Sequence, residues 1–316
     1  MPSREIYDVI IIGGGPGGLT AGIYAQRAAM KTILIEKGYP GGQLAATDVV
    51  ENWPGIETIP GSELAENFLA HAKTYDLNII QEHVVSVTPG QDHHTVQLAN
   101  GELYTTHTVI VAVGGSPRKL GIPGEDINYG KGVSYCAVCD GFFYRNKIVV
   151  VVGGGDSAVE ESLYLAKIAR KVYIIHRRDS LKAGMLAQKR VLADPKITVI
   201  WNTVVTSVVA DDSGVTAVTL ENTQTAEESH LETDGVFVFI GFKPNNQLIP
   251  ADTPTDPDGF VITDCKGETN TPGIYVIGDL RLKYAKQIVV AAGEGATAAL
   301  AAAHFVDVKK GAAAGG

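Results

Sequence analysis

The pattern of apolar and polar positions repeats along this chain of 316 residues. Residues 7–37 and residues 147–177 each open with an apolar run, DVIII and IVVVV, that a glycine-rich turn ends. A stretch of helical character follows in both, and then a second β-rich run. This order predicts a strand, a helix and a strand in each stretch, so we expect an α/β protein with two βαβ units.

The two glycine turns carry the dinucleotide-binding pattern GxGxxG/A. The first glycine makes a tight turn, the second lets the backbone approach a pyrophosphate, and the third position lets helix and strand pack closely. One such turn can arise from packing alone, but two in register predict two dinucleotide sites. The predicted turn residues are Gly13, Gly15, Pro16 and Gly18 in the first unit, and Gly153, Gly155, Asp156, Ser157 and Ala158 in the second.

The two units end differently, and the difference predicts different ribose groups. Glu36, followed by Lys37, closes the first unit, where a carboxylate accepts hydrogen bonds from a ribose 2′-hydroxyl. The second unit has cations at and after the equivalent place: His176, Arg177, Arg178 and Lys182. Because cations suit a 2′-phosphate, we expect the second unit to bind NADPH.

The first unit is expected to bind FAD because a third element supports it. Residues 271–279, TPGIYVIGD, predict a short buried strand that ends in Gly278 and Asp279, and a helix is predicted over 286–304. In flavoproteins the carboxylate of such an aspartate reaches the ribityl chain. The helix after it points its positive end at the pyrimidine side of the flavin.

The chain is therefore predicted to form two Rossmann-like dinucleotide-binding domains, the second inserted in the first. The FAD-binding domain is expected to comprise 1–117 and 247–316, and the NADPH-binding domain 118–246. At both crossings a strand runs into a segment that contains Gly and Pro, which is typical of linkers. The β-rich stretches 83–113 and 197–240 are expected to be antiparallel additions.

Composition and charge narrow the class of protein. The net charge of −9 gives no basic footprint for nucleic acid. No window approaches about 18 consecutive apolar residues, the length of a membrane span, and the N-terminus lacks a signal-peptide pattern. We therefore expect a cytoplasmic protein without a nucleic-acid or membrane partner. In a reducing compartment, the pair Cys136 and Cys139 indicates metal or redox chemistry rather than a structural cross-link.

The stretch YCAVCDGFF, which holds this pair, favours redox chemistry. Zinc needs four ligands, and neither Cys265 nor any histidine stands at finger-like spacing. A thioredoxin-type module would need a compact domain of its own, and two unreactive buried cysteines remain as an alternative. We favour a redox-active disulfide served by the flavin. Asp140 would transfer protons, because opening a disulfide yields a thiolate that must be protonated.

Several motifs together resemble the low-molecular-weight thioredoxin reductases: CAVCDGFFYRN, GGGDSAVEE, HRRD, PGGQL with ENWPG, and TAALAAAHF after Gly-Asp. The resemblance covers the chain from Asp8 to about Val306. It implies a homodimer that binds FAD and NADPH and reduces thioredoxin. It also implies that Cys139 faces the flavin, Cys136 attacks the partner disulfide and Asp140 is the acid or base.

The resemblance further implies which residues lie along the flavin or close its site. They are Gly41, Gly42, Gln43, Leu44, Asn52, Asp279, Lys286, Gln287 and Ile288. The cysteines and the nicotinamide site share one domain, yet both must reach one flavin. In this family the inserted domain rotates between two orientations, so 114–121 and 241–248 are expected to be hinges.

Two departures from the family pattern leave the preference between NADPH and NADH open. Lys182 stands where the pattern HRRxxxR ends in arginine, and Lys286 stands where many members have arginine. Lysine lacks the bidentate fork of arginine. Other functions also stay open. They are a flavoprotein reductase with another disulfide protein or electron acceptor, a dithiol oxidase, and a nucleotide-binding protein without turnover.

Overall fold

The structure, a computed structural model, describes residues 5–47, 49–212 and 214–314. They form two compact units. One unit runs to Ser116 and resumes at Lys243, and the other spans Pro117–Phe242. The insertion of one α/β unit into the chain of the other confirms the predicted fold class. The second crossing lies at 242/243, whereas the sequence predicted it at 246/247.

The first unit opens with the predicted strand, helix and strand, which are β1 (Ile6–Ile12), α1 (Pro16–Arg27) and β2 (Thr32–Glu36). Proline at the start of α1 favours a helix there, because its missing N–H and fixed φ suit the first turn. The segment continues with a 3-10 helix (Gly42–Ala46), β3 (Val49–Val50), β4 (Ile59–Pro60), α2 (Gly61–Lys73), β5 (Asn78–Gln81), β6 (Val84–Thr88), β7 (His94–Leu98) and β8 (Leu103–Val111).

The inserted unit repeats this plan. The crossing strand β9 (Gly115–Pro117) leads to β10 (Val133–Ser134), α3 (Ala137–Asp140), a 3-10 helix (Gly141–Tyr144), β11 (Ile148–Gly153), α4 (Asp156–Ala166), β12 (Lys171–Ile175), α5 (Met185–Ala193), β13 (Ile197–Ile200), β14 (Thr203–Asp211), β15 (Gly214–Asn222), β16 (Glu228–Glu232) and β17 (Gly235–Phe239). The chain then returns through β18 (Phe242–Pro244), which pairs with β9.

The last segment of the first unit carries a 3-10 helix (Asn246–Leu248), β19 (Ile274–Val276), a 3-10 helix (Gly278–Leu280) and α6 (Ile288–Ala314). The helix predicted over 286–304 thus begins two residues later and continues further. Ile288–Gly311 is the one stretch of the described chain that is helical, long and apolar enough to cross a membrane by length and composition. Ala298, Ala302 and Val306 of this helix lie in a core cluster with α1 and β1, so we interpret α6 as a core helix.

The main sheet of the first unit has the strand order β5-β2-β1-β8-β7-β6, and β19 also pairs with β8. The strands β5, β2, β1, β8 and β19 run parallel. β6 and β7 are antiparallel, as predicted for 83–113. The start of β8 is also antiparallel to β7, as predicted, but its apolar end pairs in parallel with β1 in the middle of the sheet, where the prediction was wrong. Alternate β1 residues pack against opposite faces, with Val9 and Ile11 beneath α1 and α6.

The main sheet of the second unit is parallel throughout, in the order β10-β17-β11-β12-β13. β14, β15 and β16 form a separate antiparallel sheet, as predicted within 197–240. The prediction was wrong for β13 and β17, which belong to the parallel sheet. Val149 and Val151 face α4, and Val150 and Val152 face the antiparallel sheet, so β11 is buried on both sides.

Candidate active site

The glycine turn of the first unit leaves the backbone accessible at its middle pattern position. Gly13 has φ +106°, and a Cβ there would lie 2.6 Å from the Ala112 carbonyl oxygen. A Cβ on Gly18 would lie 1.8 Å from the Gly13 carbonyl oxygen. On Gly15, by contrast, a Cβ would meet no described atom within 4 Å. The turn therefore presents open backbone at Gly15, where the pattern places a pyrophosphate.

Glu36 holds the turn from the end of β2. Its Oε2 accepts a 2.6 Å hydrogen bond from the Gly14 N–H, and its Oε1 accepts a 3.0 Å hydrogen bond from the Gly38 N–H. Each carboxylate oxygen has a second lone pair for a ligand donor. A ribose hydroxyl fits this acceptor. Lys37 beside it is exposed.

Two predicted flavin residues pack directly against the glycine turn. Gly41 donates its N–H to the Gly14 carbonyl oxygen at 2.8 Å. A Cβ on Gly42 would lie 3.2 Å from the Cα of Gly15. The 3-10 helix that follows is thereby held beside the open backbone of Gly15. The sequence pattern PGGQL marks this close approach of two backbones.

The other predicted flavin residues converge from both ends of the first unit. Asn52 donates from Nδ2 to Oε1 of Gln287 at 3.2 Å, and Gln43 donates from Nε2 to the Gly115 carbonyl oxygen at 2.8 Å. Leu44 is buried in a cluster against which Ile288 packs. The structure therefore brings the ENWPG loop, the PGGQL turn and the start of α6 together.

Asp279 pairs with Lys283, in a cluster of charges that the sequence did not predict. Lys283 Nζ lies 3.5 Å from Asp279 Oδ1 and 3.2 Å from Glu294 Oε2. The same Glu294 oxygen accepts a 2.7 Å hydrogen bond from the Gly278 N–H, and Arg281 Nη1 lies 3.3 Å from its Oε1. Glu294 interrupts the apolar start of α6, VVAAGEGATAA, and such an isolated charge was a signal that the sequence offered.

Lys286 contacts an aromatic ring. Its Nζ lies 3.8 Å from the centroid of the Phe260 ring, a cation–π distance. Burial lowers the pKa of Lys286, and the Asp279 carboxylate opposes that shift. The ammonium is thus near Asp279 but is held by Phe260. That Lys286 closes the flavin site stays a prediction.

The glycine turn of the second unit repeats the geometry of the first. Gly153 has φ +153°, and a Cβ there would lie 2.4 Å from the Phe239 carbonyl oxygen, whereas a Cβ on Gly155 would meet no described atom within 4 Å. Ala158 is fully buried. The adjacent Asp156 accepts a 2.8 Å hydrogen bond from the Gly184 N–H, and Ser157 is exposed.

The structure separates His176 from the other predicted phosphate-binding cations. Arg177, Arg178 and Lys182 are exposed, but His176 is 7% exposed. Its Nδ1 and Nε2 each lie 2.9 Å from a carbonyl oxygen, of Gly153 and Ser180 respectively. The ring therefore connects the glycine turn to the following loop and is not available to a ligand phosphate. The prediction that His176 binds the phosphate is corrected accordingly.

Cys136 and Cys139 form a disulfide at the start of α3, with an S–S distance of 2.10 Å and a Cα–Cα distance of 5.3 Å. Both are half-buried. The Cys139 N–H donates to Cys136 Sγ at 3.2 Å. An N–H directed at this sulfur would stabilise a thiolate there.

Asp140 is oriented by a side chain that the sequence analysis missed. Ser134, 2% exposed, donates from Oγ to Asp140 Oδ2 at 2.5 Å and accepts the Cys136 N–H at 3.1 Å. One hydroxyl thus links the carboxylate to the backbone of the first cysteine. Nothing in the sequence around Ser134 distinguishes it from a strand-end serine.

Exposed apolar side chains lie close to the cysteines in the sequence. Val138 is 44% exposed, Phe142 52% and Phe143 38%. Arg145 stacks on Phe142, with its Cζ 4.8 Å from the ring centroid. Apolar groups that remain exposed beside a reactive disulfide indicate a surface that a macromolecule covers.

Known proteins resemble this chain over nearly its whole length. The sequence model of the pyridine nucleotide-disulphide oxidoreductase family matches residues 7–295. A thioredoxin reductase of Bacillus subtilis is 44% identical over 307 residues, which are 97% of this chain and 97% of that protein.

Solved structures of similar identity match the fold to different degrees. The thioredoxin reductase of Streptococcus pyogenes is 40% identical with a TM-score of 0.93, over 97% of this chain and 100% of its own. That of Lactococcus lactis, described as an FR conformation, is 41% identical with a TM-score of 0.64, over 95% of this chain and 99% of its own.

Proposed function

Because the chain belongs to the pyridine nucleotide-disulphide oxidoreductase family, we propose that it is an NADPH-dependent thioredoxin reductase of the low-molecular-weight class. One observation carries the proposal. The Cys136–Cys139 disulfide, with Asp140 beside it, lies in a chain that also holds two open dinucleotide turns. A nucleotide-binding protein without turnover has no use for that disulfide.

FAD and NADPH are the cofactors of this function, and the residues present fit both. The first unit would hold FAD through the open backbone at Gly15, the Glu36 carboxylate and the Asp279 carboxylate. The second unit would hold NADPH through the open backbone at Gly155 and the exposed cations Arg177, Arg178 and Lys182. When bound, the two cofactors supply hydride from NADPH to FAD and two electrons from FAD to the disulfide.

The chain's own residues then perform the thiol–disulfide exchange. Cys136 as thiolate attacks one sulfur of the partner disulfide and forms a mixed disulfide, and the other partner sulfur leaves. The Cys139 thiolate then attacks Cys136, which releases the reduced partner and restores the Cys136–Cys139 bond. Asp140 supplies or removes the proton at these sulfurs. The Cys139 N–H beside Cys136 Sγ supports Cys136 as the attacking thiolate.

Rotation of the inserted unit is part of the proposal. The cysteines and the proposed nicotinamide site lie on the same unit, yet both must reach one flavin. The unequal TM-scores of two relatives of nearly equal identity support more than one domain arrangement within the family. The two crossings, around residues 114–121 and 241–248, are the proposed hinges.

The proposed partner is thioredoxin, the proposed assembly a homodimer and the proposed location the cytoplasm. The exposed Val138, Phe142 and Phe143 beside the disulfide support a protein substrate. Leu300 and Val308 of α6 are 55% and 58% exposed, which supports an apolar contact with a second copy.

Nicotinamide oxidation by the purified protein tests the proposal. NADPH oxidation should require oxidised thioredoxin, exceed NADH oxidation and disappear in Cys136→Ser. Cys265→Ser is the matched control, because Cys265 is the exposed free cysteine of the described chain and should leave the rate unchanged. Oxidation that ignores thioredoxin and survives Cys136→Ser would mean that the flavin serves another acceptor.

A further inference from the structure

A second carboxyl group lies against the redox turn, and the proposed mechanism does not use it. Glu161 belongs to α4, which packs against α3; Cys139 lies in α3 and Cys136 is its N-cap residue. Its side chain is half-buried, whereas the neighbouring Glu160 is exposed. A carboxyl that is partly withdrawn from water beside a reactive disulfide requires an explanation.

The carboxyl of Glu161 interacts with the backbone of the first cysteine. The Ala137 N–H lies near it and favours its charged form. That N–H belongs to the peptide bond between Cys136 and Ala137, so the carboxyl lies beside the backbone at Cys136. Glu161 Oε2 is buried and has no hydrogen-bond partner among the described residues. An unpaired buried carboxyl oxygen is better tolerated in a protonated group than in a charged one.

The surroundings of Glu161 contain few charges that would stabilise its ionised form. Burial raises the pKa of Glu161, the negative charge of Glu160 raises it further, and the Ala137 N–H lowers it. Groups that can carry a charge on the elements packed against α4 are Cys139 and Asp140 on α3 with Cys136 at its N-cap, Lys189 and Arg190 on α5, and Lys171 and Tyr173 on β12. Among the charged side chains of the described residues, only that of Glu160 shifts this pKa.

We propose that Glu161 is a positioning residue of the redox-active pair, which anchors the turn at Ala137 and changes its protonation when the disulfide opens. The inference rests on the proposed function and gives Glu161 a role in it. Two electrons break the Cys136–Cys139 bond and, with one proton from solvent, leave one thiolate and one thiol. While Glu161 is charged, that thiolate forms beside a like charge, and the reduced form is disfavoured. Where Glu161 is charged before reduction, it takes up a second proton from solvent.

The redox equilibrium of the cysteine pair tests this coupling without NADPH or thioredoxin. The full-length protein, in a Cys265→Ser background, is equilibrated with reduced and oxidised dithiothreitol from about pH 5 to about pH 9. Alkylation of free thiols and mass spectrometry give the reduced fraction. Glu161→Gln keeps an acceptor for the Ala137 N–H and removes the charge. Glu160→Gln keeps Glu161 and removes the neighbouring charge.

We expect Glu161→Gln and wild type to have equal equilibrium constants in acid. Above the pKa of Glu161, the variant should be reduced about three- to tenfold more readily, since a shift of one pKa unit is tenfold. In wild type, the plot of the equilibrium constant against pH should bend at the pKa of Glu161. Glu160→Gln should keep this bend and move it to lower pH.

A ratio between Glu161→Gln and wild type that does not change with pH would overturn the inference. If circular dichroism shows that Glu161→Gln is unfolded, the Glu160→Gln variant provides the test. A bend in its plot of equilibrium constant against pH at the same pH as in wild type contradicts the coupling. A pair that dithiothreitol cannot reduce reversibly overturns both the inference and the proposed function. A coupled pair without thioredoxin-dependent NADPH oxidation overturns the proposed function alone.

Discussion

The two glycine turns of this chain follow the same backbone course, but a side chain of opposite polarity lies behind each. In the first unit the carboxylate of Glu36 accepts the Gly14 N–H. In the second the ring of His176 lies at the equivalent place, where a Cβ on Gly154 would be 2.2 Å from Nδ1, and it contacts the Gly153 carbonyl oxygen. Glu36 holds the first turn and can also accept a hydrogen bond from a ligand. His176 holds the second turn, and both of its ring nitrogens contact backbone carbonyl oxygens.

A repeated unit can keep its backbone and still differ in what it offers to a ligand. The three pattern positions preserve the open backbone at Gly15 and Gly155 in both units, so both can accept a pyrophosphate. The residue that closes the second strand fixes the turn in both units, and we propose that only in the first unit it also binds the ribose. In the second unit we propose that the exposed Arg177 and Arg178 bind the ribose phosphate instead.

The largest effect is expected at the third pattern position, where the first turn has no room for a side chain and the second holds an alanine. Gly18→Ala should force α1 away from the sheet, because the new Cβ would lie 1.8 Å from the Gly13 carbonyl oxygen. We expect a loss of about 1–3 kcal/mol in the free energy of unfolding and a loss of bound flavin. Denaturant unfolding and the flavin absorbance per chain measure both.

The second unit supplies the control for this substitution. Ala158 already stands at the equivalent position and is fully buried, so Ala158→Gly adds no clash. It should cost about 1 kcal/mol through helix propensity and leave flavin bound. If Gly18→Ala kept its flavin while Ala158→Gly lost it, the packing argument for the third pattern position would be wrong.

The sequence predicted those features that local geometry imposes. The order of strand, turn and helix follows from Gly13, Gly18 and the apolar runs beside them, and the acceptor role of Glu36 follows from its place at a strand end. These constraints act between residues of one βαβ unit, where a single pattern contains both partners. The CxxC pair is likewise local.

Features that depend on distant contacts escaped prediction. The start of α6 was expected at 286, but the helix begins at Ile288, after Lys286 on Phe260 and Gln287 on Asn52. The ion pairs of Lys283 with Asp279 and Glu294, like the place of His176 inside its loop, depend on folding that no short motif contains. Such residues are identified by burial and partners, not by spacing.

Cofactor selectivity should depend on the exposed arginines and not on His176. Replacing Arg177 and Arg178 by alanine should raise the KM for NADPH about tenfold or more and leave that for NADH nearly unchanged, because each charged hydrogen bond to a phosphate contributes about 1.5–3 kcal/mol. His176→Asn should raise both KM values together, since it loosens the turn. Steady-state kinetics with both cofactors separates the two outcomes. A selective loss of NADPH binding in His176→Asn would restore His176 as a phosphate ligand.

The two units also differ in how a buried histidine is held, and the difference predicts acid sensitivity in the first unit. His94 lies between a donor, the Gly90 N–H at 3.4 Å, and an acceptor, the Pro272 carbonyl oxygen at 3.2 Å, an arrangement that suits a neutral ring. Burial lowers the pKa of His94 below its usual 6.5. The unfolded chain therefore binds more protons below about pH 6.5, and stability should fall as the pH falls through that range.

Thermal unfolding at about pH 7.5 and about pH 5.5 measures this loss. His94→Gln should reduce the difference between the two melting temperatures, although it lowers both. His83 is exposed, so His83→Gln should leave the difference as it is in wild type. An unchanged difference in His94→Gln would show that other groups dominate the acid response.

The smallest effect is expected from restoring arginine at Lys182. The Lys182 N–H donates to the Gly154 carbonyl oxygen at 2.7 Å, so the backbone fixes this position whichever side chain it carries. Lys182→Arg should therefore leave the loop intact and add a bidentate fork for the 2′-phosphate, improving kcat/KM for NADPH about threefold over NADH. Lys189→Arg, on the exposed side of α5, is the matched control. An equal gain in both variants would mean that added arginine acts through general charge, and that Lys182 holds no special place beside the turn.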